Sequence, residues 1–273
     1  MRSPAVRWVV AVMITLGSLV WQRMSGPTYP ARGSVSLGGQ RIAMRLERSH
    51  TIASDQPVEV RVADAAVTGE LVWRRFPTAE PWQITDLTRE GDELRASLPK
   101  QPAAGKLEYQ VRLRRGDEQA IFPGRPAVIR FRGNVPAWVL IPHITAMFLG
   151  LLFAARAGIE ALADGVPHGC AWAALASFVI GGVGLGPAVQ KFAFDAWWTG
   201  VPFGWDLTDN KTLLAVLAWI VAVWALRGGR RARGVVLAAA VVTLLVFAIP
   251  HSVWGSQIDW AKVRQTTSDA LHK

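Results

Sequence analysis

Leu213-Leu-Ala-Val-Leu-Ala-Trp219-Ile-Val-Ala-Val-Trp224-Ala-Leu226, then Arg227-Gly-Gly-Arg230-Arg231-Ala-Arg233, then Gly234-Val-Val-Leu-Ala-Ala-Ala-Val-Val-Thr243-Leu-Leu-Val-Phe247-Ala-Ile249-Pro250: two apolar runs flank a short basic turn. Each run approaches the ~20 apolar residues that carry a helix across the hydrocarbon core of a bilayer. A turn this basic between two spans belongs on the cytoplasmic side. Residues 209–226 and 234–250 are therefore read as a pair of membrane helices joined inside the cell.

Three further apolar runs lie upstream, at Ala5–Val20, 137–155 and 169–189. Alternating from the basic turn, the loop 188–208 faces out, the loop around Arg156 faces in, and the long segment 23–135 faces out. Arg2 and Arg7 then face in, which agrees with the same rule. The expectation is a bacterial inner (cytoplasmic) membrane protein with five spans, its N-terminus in the cytoplasm and its C-terminus outside. The first run has the basic start of a signal peptide. Trp21-Gln22-Arg23-Met24 follows it in place of an Ala-x-Ala site, so it reads as an uncleaved anchor.

Composition agrees. The 273 residues are 51% hydrophobic and only 18% charged, with 30 Lys+Arg against 20 Asp+Glu for a net charge of +10. This excludes a disordered chain, a fibrous one and an ordinary soluble enzyme. Most of the charge sits in 23–135. No Lys/Arg run lies beside stacking aromatics, so the basic balance points to no nucleic acid. The single cysteine, Cys170, excludes an intrachain disulfide.

Four segments follow: 1–24, an N-terminal transmembrane anchor; 25–135, an extracytoplasmic β-sandwich; 136–251, a four-span membrane module; and 252–273, an extracytoplasmic tail. Within the second, Val58-Glu-Val-Arg-Val62 and Leu107-Glu-Tyr-Gln-Val-Arg-Leu113 alternate with the period of a strand. Turn residues recur at Ser54-Asp55, Gly69, Glu80-Pro81, Gly91-Asp92, Gly116-Asp117 and Pro123-Gly124. About seven or eight short strands predict an antiparallel sandwich. Trp73 and Trp82 read as core or rim aromatics, and His50 as a solvated loop residue. The region resembles immunoglobulin-like and fibronectin type III domains. Ala104-Gly-Lys-Leu-Glu-Tyr109-Gln-Val-Arg-Leu113 looks like their late strand with its tyrosine.

The outer loop 186–212 packs aromatics and charges together: Gln190, Lys191, Asp195, Trp197, Trp198, Phe203, Trp205, Asp206, Asp209, Asn210 and Lys211. A tripeptide repeats at Ile141-Pro142-His143 and Ile249-Pro250-His251, both on the same outer face. Plain roles exist for all of these. Interfacial tryptophans form an aromatic belt, the prolines punctuate helix ends, and Asp206, Asp209 and Asn210 cap the span that follows. The Gly181-Gly182-x-Gly184-x-Gly186-Pro187 run allows close helix packing.

Chemistry is the alternative. An imidazole inside a span needs a partner for its nitrogens, and ionisable residues there are functional candidates. His143 and His251, roofed by Trp197, Trp198 and Trp205, are candidate axial ligands of a haem iron (haem b), with Lys191 or Lys211 pairing propionates. They are equally candidate ligands of a transition-metal ion, with Asp206 or Asp209 as a third.

Trp197-Trp198, Phe203-Gly-Trp205-Asp206 and Lys211-Thr-Leu-Leu followed by Trp219 resemble the tryptophan-rich external loop of the haem-handling membrane proteins of cytochrome c assembly. Two outward-facing histidines flank the loop in that family and hold haem. The resemblance implies that role for His143 and His251.

Two function classes result. One is a non-catalytic interaction or assembly subunit, with a protein partner at the outer face and lipid around the spans. The other is a haem- or metal-binding membrane protein, for haem handling or electron transfer. A transporter is disfavoured by the scarcity of charges in the spans and the lack of an internal repeat. Enzyme signatures such as Gly-x-Ser-x-Gly, a phosphate-binding glycine loop or His-Glu-x-x-His do not occur. His168 beside Cys170 reads as incidental, and His272 belongs to the tail.

Overall fold

The structure, a computed structural model, describes residues 3–230 and 232–250 together with Ile258 and Trp260. The chain divides into two compact units, a helical one and a β-rich one.

The helical unit holds α1 (Pro4–Ser25), α2 (Ala137–Leu162), α3 (His168–Phe178), α4 (Gly186–Phe194), α5 (Leu207–Ala225) and α6 (Arg233–Ala248). A π-helical stretch, Val179–Leu185, joins α3 and α4 into one continuous helix, His168–Phe194. Among the described residues four helices are long and apolar enough to cross a membrane: Pro4–Ser25, Ala137–Leu162, His168–Phe194 and Leu207–Ala225. The fifth run forms a shorter helix of 16 residues. The residue before a proline is pushed out of the helical region, and Ile249, before Pro250, is extended at φ −78° and ψ 119°.

One boundary difference moves a residue out of a loop. The second run continues as helix past residue 155 to Leu162, so Arg156 is a buried helix residue and not part of a loop. Pro142 lies inside α2. A small-residue core explains the packing: Ala154, Ala157, Ala171, Ala174, Ala215, Ala222, Ala239 and Ala240 meet around Leu151, Phe178 and Trp219. Gly181 and Gly182 sit at close approaches between helices. A Cβ on Gly181 would lie 2.8 Å from that of Ala146, and one on Gly182 would lie 2.3 Å from the Thr212 methyl. The glycine run therefore does bring neighbouring helices together. In α5, the Trp219 indole donates to Thr243 Oγ1 of α6 at 2.8 Å, so a buried N–H is not left unpaired.

The β-rich unit has ten strands among the described residues, more than the seven or eight expected. They are β1 (Ala31–Leu37), β2 (Gln40–Leu46), β3 (Ser49–Thr51), β4 (Gln56–Arg61), β5 (Thr68–Arg75), β6 (Gln83–Asp86), β7 (Thr88–Glu90), β8 (Glu93–Leu98), β9 (Lys106–Arg115) and β10 (Glu118–Arg132). They form three sheets, ordered β1-β2, β3-β10-β9-β5-β6 and β4-β8-β7. Every pairing is antiparallel except β3 with β10. His50 pairs within β3 opposite Phe131, where a loop was expected. The β9–β10 register shifts between Phe122 and Ala127, across Pro123 and Pro126, which have no N–H to give to a ladder.

The two alternating motifs are strands, as read. In β4, Val58 and Val60 are buried while Glu59 and Arg61 are exposed. In β9, Leu107, Tyr109, Val111 and Leu113 enter the core with Leu71, Leu94, Leu98, Ile129 and Phe131. The Tyr109 hydroxyl donates to the Glu47 carbonyl at 2.6 Å. Burial raises its pKa well above the ordinary tyrosine value. Trp73 packs against this core, and Trp82 lies at the rim beneath the Arg74 guanidinium, 4.4 Å from its ring centroid. From the tail, Trp260 is buried with the Arg75 guanidinium 4.7 Å from its ring.

Candidate functional site at the loop between α4 and α5

The helix His168–Phe194 stops at Asp195, which adopts left-handed geometry and pairs with Lys191 one turn earlier at 2.6 Å. The chain then crosses to α5 through Ala196–Trp205. Three polar side chains at the start of α5 organise this crossing. Asp206 is the N-cap, its carboxylate accepting from Thr208 N at 2.8 Å. Asp209 Oδ2 accepts from the backbone N–H of Thr199 (2.7 Å) and of Gly200 (3.1 Å), and from the Thr199 hydroxyl (3.2 Å). Asn210 Oδ1 accepts from Val201 N at 2.8 Å. Gln190 of α4 donates to Thr199 Oγ1 at 2.6 Å, so Thr199 is gripped from both helices. Asp206 N returns to the Thr199 carbonyl at 3.0 Å.

Lys211 completes the set. It is 6% exposed, and its ammonium donates to the carbonyls of Ile249 at 2.6 Å and Pro250 at 3.4 Å. Trp21 and Gln22 of α1 give to the next carbonyls inward, Ala248 (2.7 Å) and Phe247 (2.6 Å). The physical reason lies at the end of α6, a helix of 16 residues. The last carbonyls of a helix have no partners of their own, and buried backbone acceptors need donors from elsewhere in the fold.

The anchoring side chains Gln190, Asp209, Asn210 and Lys211 thus turn inward, Asp195 stays exposed, and most of the aromatic ones turn outward. Trp205 is 87% exposed, Phe203 82% and Trp197 61%, with Trp138 of α2 also exposed. Trp198 is half-buried, its indole donating to the Val201 carbonyl at 3.0 Å. A void of about 10 Å³ under the loop, lined by Met147, Thr208, Lys211, Thr212, Val246 and Phe247, has room for about one water.

His143 is half-buried in α2, with Nδ1 2.8 Å from the Gly181 carbonyl in the π-helical stretch. A carbonyl only accepts, so Nδ1 carries the proton and Nε2 keeps its lone pair. Nε2 makes no hydrogen bond among the described residues. A histidine held in this way has Nε2 available as an acceptor. His251 lies outside the described residues. The remaining candidates are otherwise engaged: Asp206 and Asp209 on backbone donors, Lys191 on Asp195, Lys211 on the end of α6. Among the described residues no three His, Cys, Asp or Glu side chains cluster as a metal site.

The sequence reading missed a buried charge cluster at the other end of the unit. Glu160 of α2 takes Arg156, one turn earlier, and Arg7 of α1 in ion pairs. The Arg156 guanidinium also lies 5.0 Å from the Trp8 ring centroid. The spacing of Arg156 and Glu160 at i and i+4 was the available signal. Arg156 itself interrupts the apolar run, which hides the pair. His168 starts α3 and contacts the Leu226 carbonyl at 3.0 Å, a structural role that needs no partnership with Cys170.

No protein-family model matches the chain, and no curated protein matches it.

Proposed function

We propose that the chain is a five-span inner-membrane protein of bacterial type. Its exported, immunoglobulin-like β region and its aromatic outer loop together form an interaction or assembly module for a membrane protein partner. One observation carries this: Asp209, Asn210 and Gln190 hold the shape of the α4–α5 loop, which presents Trp197, Phe203 and Trp205 to the outside. Fixed aromatic side chains lose little entropy on docking and dominate interface energies.

Topology is supported by parity. The tail residue Trp260 packs on Arg75 of the β region, so the chain between them crosses an even number of times. The helices Ala137–Leu162, His168–Phe194 and Leu207–Ala225 make three crossings. The fourth falls to α6, and its capped carbonyl end suits a helix that stops short of the interface. The packing of α1 on α2 through Ala11, Ala155 and Ile159 supports the anchor reading of the first run. The alternation of the strands, the buried Tyr109 and the antiparallel ladders support the sandwich reading.

The test is a photo-crosslinking amino acid placed at Trp205 or Phe203 of the full chain in its native membrane, with Leu217 on the exposed face of α5 as control. A discrete protein adduct from the loop positions alone is expected, weakened by Asp209→Ala. Lipid adducts only, from all three positions, would end the reading.

A second reading rests on His143. Its free Nε2, with Nδ1 held on Gly181, suits it as one ligand of a haem iron or of a transition-metal ion. His251 would be the other, as the resemblance to haem-handling proteins implies. When bound, haem would supply one-electron chemistry. Haemin titrated into the detergent-purified chain is then expected to give a shifted Soret band that His143→Ala and His251→Ala each abolish. An unshifted band, with zinc and copper also unbound, excludes this reading and leaves the first intact.

A further inference from the structure

Away from the loop, α3 and α5 enclose a groove of about 300 Å³ lined by Trp172, Leu175, Ile220, Val221, Val223, Trp224 and Arg227. Trp172 is 54% exposed and Trp224 63% exposed, so an indole stands on each wall. Arg227, one turn after Trp224, closes the end of the groove. Its guanidinium forms no hydrogen bond or ion pair among the described residues. The walls are otherwise apolar.

From this juxtaposition we infer that the groove binds one anionic phospholipid, an acyl chain along Leu175, Ile220 and Val221 and the headgroup phosphate on Arg227. The inference goes beyond the docking function and rests on the membrane reading of the helices and the cytoplasmic placement of the turn after α5. Three features select this occupant. Tryptophan sits at headgroup level, where one end of the ring is wet and the other apolar. A lone guanidinium beside an apolar slot matches a phosphate ester joined to a hydrocarbon chain, and basic pockets between spans on the cytoplasmic side favour anionic lipid. A partner helix needs small residues for close approach, whereas these walls are Trp, Leu, Ile and Val.

The experiment uses the full chain in nanodiscs of phosphatidylcholine mixed equally with phosphatidylglycerol of the same acyl composition. Native mass spectrometry after release reads the retained lipid. One phosphatidylglycerol is expected to be retained about fivefold over phosphatidylcholine. Arg227→Gln is expected to erase the preference, Arg227→Lys to keep part of it, and Arg230→Gln, in the same turn but outside the groove, to leave it unchanged. Equal retention of the two lipids by the unaltered chain overturns the inference. So does a preference that survives Arg227→Gln, or one that falls equally in Arg230→Gln, which would mark general charge. A photo-crosslinker at Trp172 that labels protein in place of lipid overturns it too. A chain that purifies without detergent would instead remove the membrane reading beneath it.

Discussion

Lys211 Nζ lies 2.6 Å from the carbonyl oxygen of Ile249. This bond joins the first turn of α5 to the end of α6. Lys211 stands in the polar run that follows Trp205-Asp206, yet its charge is spent on backbone carbonyls that the short α6 leaves unpaired. The ammonium is a strut between α5 and α6, and its removal tests that role directly.

Lys211→Met keeps the apolar stem and deletes the donor. An unsatisfied buried carbonyl costs about 1–3 kcal/mol, so a lower midpoint of thermal unfolding in detergent is expected. Trp21→Phe, which releases the Ala248 carbonyl, should act in the same direction. An unchanged midpoint for Lys211→Met would show that α6 ends in water.

Asp209→Ala leaves the Thr199 and Gly200 amides and the Thr199 hydroxyl without their common acceptor. Hydrogen exchange at residues 199–201 is expected to accelerate strongly while the amides of α5 beyond its first turn stay protected. If the loop amides exchange as slowly as before, Asp209 does not hold the loop. Asp206→Ala should instead fray only the start of α5, at about 1 kcal/mol.

Glu160→Gln strips the carboxylate from between Arg7 and Arg156. Removing one member of a buried ion cluster costs about 3–5 kcal/mol, because the other charges stay buried. The expected result is a protein that unfolds at much lower temperature, with α1 released to protease. Arg7→Gln should do less, since Arg156 still satisfies Glu160. Equal stability of Glu160→Gln and the unaltered chain would count against a buried cluster.

In the β-rich unit, Tyr109 is fully buried and burial raises its phenol pKa above the ordinary value of 10.0. The neutral form is therefore favoured by folding. That contribution is fully present below pH 10 and is lost as pH rises toward the folded-state value. Alkaline titration of the full chain, followed by near-ultraviolet circular dichroism, should show the β signal falling above pH 10. Tyr109→Phe should shift this loss to higher pH, at the expense of the bond to Glu47. Identical alkaline curves would separate Tyr109 from the transition.

Much of this was legible along the chain, because it depends on local pattern. Apolar runs near bilayer length marked the helices, period-two alternation marked β4 and β9, and Asp206 stood where an N-cap belongs. The glycine run announced close packing, although not its partners, Ala146 and Thr212. What was hidden is contact between distant residues. Nothing near Lys211 points to Ile249, 38 positions away. Nothing near Arg7 points to Glu160, 153 positions away. His50 read as a loop because a three-residue strand is too short to show a period.

By itself the sequence determined where the membrane helices and the alternating strands lie, since hydrophobic burial acts on each segment through its own periodicity. It also determined that aromatic and polar residues crowd one loop, between α4 and α5. Only the tertiary structure decided which of them face which way. The α6 carbonyls had to be paired, and Lys211 was the donor within reach. The Thr199–Val201 amides had to be paired, and Asp209 and Asn210 were the acceptors. Hydrogen bonds to a buried backbone are settled by proximity in space, which no spacing along the chain encodes.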